Sequence, residues 1–322
     1  MRAARYATSG PRAGEVELVD VAAPEPGPGE VLVRVRVSGV NPTDWKSRVG
    51  GGLTTGGFDE IVPNQDGAGE IERVGDGVDP GRVGELVWLY ECQWQRSQGS
   101  AAQWIALPER QAVRLPDGVS LDQGAGIGIP AMTAHRVLHV HGTLDGARVL
   151  VQGGAGAVGH AAIQLAVRGG ARVAATVSSE EKARLAREAG AELAVNYREE
   201  DVVEAVRGWG PVDRVVEVAI SANLETDAAV LAPTGAIASY GAPDGPLPPS
   251  RDLIAGNGSV HFVLVYTMPE EAKRQAVADI TSALEEGALR PLPVARYPLE
   301  ETQAAHEAVE NGFVGKVIID VP

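Results

Sequence analysis

The stretch VLVQGGAGAVGHAAIQLA, residues 149–166, decides the fold. An apolar run leads into glycines spaced GxGxxG at Gly154, Gly156 and Gly159, and an apolar helix pattern follows. In a chain with 40 glycines that spacing also arises by chance, so the flanks must carry the reading. They read as a strand over 148–152 before the glycines and a helix over 158–168 after them. Strands over 172–177, 193–196, 213–218 and 236–240 then alternate with helices over 180–189, 201–206 and 222–231. That alternation specifies a doubly wound parallel sheet, a Rossmann domain.

The rest of the chain reads outward from this domain. Before it, short strands punctuated by glycine and proline, such as the alternating run over 31–37, have the pattern of a small barrel. The period becomes helical at SLDQGAGIGIPAMTAHRVLHV, with Ser120 as N-cap. After it come the apolar strand SVHFVLVY (259–266), helices over 270–286 and 300–311, and a closing strand KVIIDV. The expected division is a catalytic domain of residues 1–121 and 268–322 around a cofactor domain of residues 122–267.

Within the glycine stretch, Gly154 is expected to permit the tight turn, Gly156 to admit a pyrophosphate and Gly159 to let helix and sheet pack. Ala155, Ala157 and Val158 then offer backbone N–H groups at a helix N-terminus, where the partial positive charge favours phosphate. NAD sites place an acid at the end of the second strand, to bind the adenosine ribose. Here that strand ends in Ser178 and Ser179, with Lys182 one turn on, which suits the 2′-phosphate of NADPH. Glu180 and Glu181 oppose this, unless they are first-turn acids facing water.

Composition narrows the function. A formal charge of −15 argues against nucleic acid or an anionic membrane as partner. The sequence shows no signal-like or membrane-spanning stretch, and a cytoplasmic location is expected. The lone Cys92 excludes an intramolecular disulfide and a multi-cysteine zinc site, and it reads as a spare thiol rather than a nucleophile. His139 and His141 in LHVHGTL give no convincing metal pattern, and no metal is expected.

The stretches VLVQGGAGAVGHAAIQLA, SSEEK, GAELAVNYREED and NGFVGKVIID resemble the medium-chain dehydrogenase/reductase superfamily, over nearly the whole chain and in the same order. Within it they resemble the NADPH:quinone oxidoreductase (zeta-crystallin) branch. The resemblance implies a GroES-like barrel for the catalytic domain and NADPH as cofactor. It assigns the 2′-phosphate to Lys182 and Tyr197, and the nicotinamide ribose to Thr133. It also implicates Ala219, Tyr240, Gly241, Phe262 and Val263 on the nicotinamide side, and Lys316 near the cofactor.

Zinc-dependent members of the superfamily carry Cys and His-Glu where this chain has Asn41 and Gln65-Asp66. Asn and Gln are poor zinc ligands beside thiolate and imidazole. The expected reaction is zinc-free hydride transfer from NADPH to a quinone or quinone-like acceptor, with reduction of an enone C=C bond as the alternative. Asn41 is the first candidate for a catalytic donor and is expected to touch the cofactor as well. Lys46, where relatives often carry Tyr, and Arg48 are further catalytic candidates, and Trp94 is either a stacking face or a loop anchor. A non-catalytic NADPH-binding role, as in lens crystallins of this family, is the rival of another class. The apolar strand over 259–266 is expected near the sheet rim, joining two copies into a homodimer.

Overall fold

The computed structural model describes residues 1–50 and 57–322. The chain divides into two units, residues 1–129 with 293–322, and residues 130–292. In chain order the first unit begins with β1 (Arg2–Ala7), β2 (Val16–Asp20), β3 (Glu30–Val40), α1 (Pro42–Arg48), β4 (Glu60–Ile61) and β5 (Asp66–Val74). It continues with β6 (Leu86–Leu89), β7 (Trp104–Pro108) and β8 (Ala112–Arg114), and enters α2 (Leu121–Leu138), whose residues divide between the units at Pro130. The second unit holds β9 (Arg148–Val151), α3 (Ala157–Arg168), β10 (Arg172–Val177), α4 (Glu180–Glu188), β11 (Leu193–Asn196) and α5 (Val202–Trp209). Then come β12 (Val212–Glu217), α6 (Ile220–Val230), β13 (Leu231–Ser239), α7 (Arg251–Gly256), β14 (Ser259–Phe262) and α8 (Glu270–Glu285). The chain returns to the first unit with β15 (Val294–Pro298), α9 (Thr302–Glu310) and β16 (Lys316–Asp320).

The second unit is a parallel sheet in the order β11-β10-β9-β12-β13-β14. It is covered on both faces, which is why β9 reads as an unbroken apolar run rather than an alternating one. Val149, Leu150 and Val151 are all fully buried, each burial contributing about 1.5–3 kcal/mol. From β9 the chain steps outward through β10 to β11, then crosses back to lay β12 on the other side of β9. Ligands of such sheets bind at this reversal, outside the carboxyl ends of the strands.

The first unit is built on antiparallel pairing. Its larger sheet runs β15-β16-β3-β5-β6-β8, with β7 also on β3, and a smaller one runs β2-β1-β4. β3 alternates across its pleat, burying Val31, Val33 and Val35 in a core shared with Ile71, Val87, Ile105 and Leu107. Ser120 caps α2, its Oγ accepting from the Gln123 N–H at 3.2 Å.

Two expectations are corrected here. The units divide at 129/130 rather than 121/122, within α2, and the return to the first unit lies at residue 293 rather than 268, because α8 is tied to the second unit. The Arg168 guanidinium reaches Glu286 at 2.6 Å and Ser282 at 3.0 Å, and the Lys273 ammonium donates to the Tyr266 carbonyl at 3.1 Å. The strand expected over 259–266 stops at Phe262, and a 3-10 turn over Val265–Thr267 buries Val265 and Tyr266. The apolar character of the later residues belongs to this turn, not to a sheet.

Candidate active site

In the second unit, the residues expected at the cofactor gather at the carboxyl ends of the strands. Gly154, Ala155 and Gly156 follow β9, and Ala157 and Val158 open α3. The glycine roles differ from the expected ones in one respect. The positive backbone angle that makes the tight turn belongs to Gly153, at φ +71°, not to Gly154. A Cβ on Gly154 would instead meet the Ala175 Cβ at 2.7 Å, so packing against β10 demands this glycine. A Cβ on Gly159 would meet the Gly153 carbonyl at 2.3 Å, which holds α3 against the turn as expected. A Cβ on Gly156 would make only ordinary contact with the Gly153 carbonyl, at 3.4 Å, and the Gly156 N–H donates to that same carbonyl at 3.0 Å.

At the end of β10, Ser179 caps α4, and the Lys182 ammonium donates to the Ser178 Oγ at 2.9 Å. Glu180 is turned away to the Arg187 guanidinium at 2.7 Å, and Glu181 is exposed, so the first-turn acids face water. Tyr197, at the end of β11, is 53 % exposed. A crevice of about 530 Å³ opens beside it, lined by Gln152, Gly153, Thr176, Val218, Ala219 and Asn223 among others. Tyr240 and Gly241 follow β13, and Phe262 ends β14 with Val263 after it. Thr133 is buried in α2.

Sequence reading missed a buried polar chain beneath these ends. Thr176 Oγ1 donates to Gln152 Oε1 at 2.5 Å, and Gln152 Nε2 donates to Asp227 Oδ1 at 2.7 Å. Burial pushes the Asp227 carboxyl well up, and the neighbouring Glu217 charge adds to the shift. Glu217 in turn accepts from the Ala219 N–H and the Asn223 amide, fixing the turn from β12 into α6. An Asp on the buried face of α6 was the available signal.

In the first unit, three side chains form one network. Lys316 Nζ donates to Asn41 Oδ1 at 2.8 Å, and Asn41 Nδ2 donates to Asp66 Oδ2 at 2.7 Å. Nζ also lies 3.5 Å from Asp66 Oδ2, and the Ile129 N–H donates to Asp66 Oδ1 at 2.7 Å. Gly128 makes the last bond attainable, since a Cβ there would meet Asp66 Oδ1 at 2.3 Å. Asn41 is the N-cap of α1, its own N–H donating to the Asp44 carboxylate at 2.7 Å.

All four polar side chains are buried, and burial governs their charges. It pushes Asp44 up to about 8, with the Asp66 charge adding to the shift. It raises Asp66 and lowers Lys316, while their mutual attraction pulls both back toward the charged forms. A buried ion pair is tolerable only when its remaining valences are met, and here the Asn41 amide and the Ile129 N–H meet those of Asp66.

The other candidates stand apart from this network. Lys46 is exposed, its ammonium 5.7 Å from the Trp45 ring centroid. Arg48 is buried and donates to the Gly14 carbonyl at 2.9 Å, so its charge clasps the loop before β2. Gln65 exchanges bonds with Gln93 at 3.2 and 3.1 Å. Cys92 is fully buried, which pushes its thiol up and leaves it unreactive, and Trp94 is half-buried in the same loop.

Comparison with known proteins decides the family. Residues 27–117 match the alcohol dehydrogenase GroES-like domain and residues 157–282 the zinc-binding dehydrogenase domain. The chain is 30% identical to human quinone oxidoreductase over 306 residues, covering 93% of this chain and 92% of the relative. The chain belongs to the quinone oxidoreductase branch of the medium-chain dehydrogenase/reductases. Among solved structures, this quinone oxidoreductase relative is similar to the quinone oxidoreductase from Thermus thermophilus, which has also been solved in complex with NADPH. The TM-score is 0.84 at 31% identity, over 99% of this chain and 100% of that one. A 2-haloacrylate reductase from a Burkholderia species is 32% identical over 295 residues, 88% of this chain and 87% of its own length.

Proposed function

We propose that this oxidoreductase reduces a quinone or quinone-like acceptor with NADPH, without a catalytic metal. The observation that carries this is the Lys316–Asn41–Asp66 network, in which Asn41 and Asp66 stand at positions matching the Cys and Glu of zinc-dependent relatives and Lys316 binds both. Those residues do not fit zinc. The Asn41 carbonyl oxygen is taken by an ammonium, Asp66 is already held by three donors, and Gln65 is locked against Gln93.

NADPH fits the second unit, and when bound it supplies the hydride. The Gly154 and Gly156 N–H groups are used on the Thr176 and Gly153 carbonyls, so those of Ala155, Ala157 and Val158 at the α3 N-terminus would hold the pyrophosphate, and Ser178, Ser179, Lys182 and Tyr197 would hold the 2′-phosphate. Thr133, Ala219, Tyr240, Gly241, Phe262 and Val263 line the nicotinamide side. Lys316 has three N–H donors and Asn41 has two, so one on each remains beyond the bonds described. Fixed donors of this kind in a buried site would stabilise negative charge growing on an acceptor oxygen. Lys46 and Arg48 are given supporting roles only, as an exposed charge and a loop clasp.

Reduction of an activated C=C bond is the second reading, favoured by the similarity to 2-haloacrylate reductase. It uses the same donors on a carbonyl or carboxylate oxygen. Steady-state NADPH oxidation with a panel of quinones and enones separates the two, and turnover with neither supports the binding-protein rival. Activity is expected to survive dialysis against a strong chelator. Loss of quinone turnover on dialysis, restored by zinc, would overturn the metal-free mechanism.

We also propose a cytoplasmic homodimer formed along β14. Among the described residues no helix is long and apolar enough to cross a membrane. β14 lies at the rim of its sheet, with Phe262 58% exposed and Leu264 37% exposed beside it. An unpaired apolar edge of this kind invites a second strand.

A further inference from the structure

A group of side chains in the second unit takes no part in the reaction above. His135 and His139 lie one turn apart, His135 on α2 and His139 just past its end, and Asp279 faces them from α8. Their ligand atoms all lie within 4.8 Å of one another. His135 Nε2 is 2.7 Å from Asp279 Oδ2, and the two imidazoles stack with centroids 4.0 Å apart.

Two features distinguish this group from a chance meeting of polar side chains. The first is the tautomer of His139. Its Nδ1 lies 2.8 Å from the His135 carbonyl, which can only accept, so Nδ1 carries the proton and Nε2 keeps its lone pair. A histidine whose other nitrogen donates to a backbone carbonyl is oriented as metal-bound histidines are. The second is the carboxylate. Asp279 Oδ1 accepts from Gln275 Nε2 at 3.0 Å, which leaves Oδ2 to face the histidines. In the empty site His135 Nε2 donates its proton to Asp279 Oδ2, so an ion entering there displaces that proton and takes both atoms as ligands.

We infer that His135, His139 and Asp279 form a binding site for a divalent transition-metal ion of the zinc, cobalt or nickel class. Two imidazoles and one carboxylate suit this class rather than calcium or magnesium, which take all-oxygen ligands. Tetrahedral zinc places its ligand atoms about 3.3–3.5 Å apart, from bonds of about 2.0–2.2 Å. The His135–Asp279 pair therefore opens slightly around the ion, and His139 closes toward it. His139 is exposed and Asp279 half-buried, so ions can enter and a water can fill the fourth position. The ion would pin α8 to α2 within the second unit. This role is separate from the metal-free chemistry of the Lys316 network and does not depend on it.

The test uses the tag-free full chain, stripped with a chelator and titrated with ZnCl2 and CoCl2. Calorimetry is expected to find one site. The melting temperature is expected to rise by roughly 3–6 °C at free metal about 100-fold above Kd. Cobalt is expected to give the visible absorption of a low-coordinate nitrogen–oxygen site. His139→Ala, at an exposed position, and Asp279→Asn, which keeps the carboxamide oxygen, should each weaken binding by at least about tenfold. Quinone turnover by the stripped enzyme should be unchanged by metal. Absence of one-site binding, or binding that His139→Ala and Asp279→Asn leave intact, overturns the site.

Discussion

Lys182 and Asp44 each put a single charge where its consequence can be measured. The Lys182 ammonium is held beside Ser178, and Glu180, which would oppose a 2′-phosphate, is neutralised by Arg187. A charge-assisted hydrogen bond contributes about 1.5–3 kcal/mol. Lys182→Ala is therefore expected to weaken NADPH binding roughly tenfold or more and to leave NADH nearly unchanged. Equal losses in a fluorescence titration of both cofactors would remove Lys182 from the 2′-phosphate site. Asp44 acts through stability. Burial lifts its folded value to about 8, above that of the unfolded chain. The unfolded state therefore ionises first as pH rises. The stability Asp44 contributes is complete below about pH 4 and is lost through about pH 8, by at most about 1.4 kcal/mol per unit. Asp44→Asn keeps an acceptor for the Asn41 N–H and removes the titration. Urea unfolding should show the variant gaining on the parent between pH 5 and 8, and a constant difference would contradict a neutral buried Asp44.

At the scale of elements, the turn between β9 and α3 shows how close packing and ligand access share one loop. Gly154→Ala is expected to destabilise by about 1–3 kcal/mol, because its Cβ meets Ala175 rather than because its backbone is strained. Ala175→Gly in the same chain should recover part of that loss in chemical denaturation, whereas backbone strain would not be relieved. The same loop shows what was legible beforehand. The alternation of strands and helices, the positions of Ser178 and Tyr197 at strand ends and that of Lys182 in the following helix turn were legible from periodicity, because each strand reports its own burial. The assignment of the positive angle to Gly153 did not follow, since spacing alone does not say which glycine bends. Nor did the joining of Asn41, Asp66 and Lys316 through hydrogen bonds, which depends on β16 pairing antiparallel with β3. The short β14 was misread because a buried 3-10 turn and a buried strand are equally apolar. His135 and Asp279 escaped notice because their meeting depends on how α8 packs, and no local pattern encodes that.

For the whole molecule, the proposed dimer is tested at the rim of the parallel sheet. Val265 is buried within its own unit, so a charge there would disrupt the fold and say nothing about assembly. Phe262→Asp and Val263→Asp are the informative changes. Each is expected to convert a dimer into monomers or aggregates in light scattering at micromolar concentration, with Phe262→Asp the milder for folding because that side chain is exposed. A monomeric parent chain would refute the assembly.

The division of the chain also sets an order of events during synthesis. Residues 130–292 are contiguous, and that unit can close as soon as it clears the ribosome. The first unit begins earlier yet finishes later, because β3 waits for β16 to pair Val40 with Val317. Until then Asp66 lacks the Lys316 ammonium, and the end of β3 from Val37 to Val40 lacks the strand that will pair with it. A nascent chain therefore carries a finished parallel-sheet unit while the antiparallel unit is still open. That interval is when a chaperone would find the most to hold.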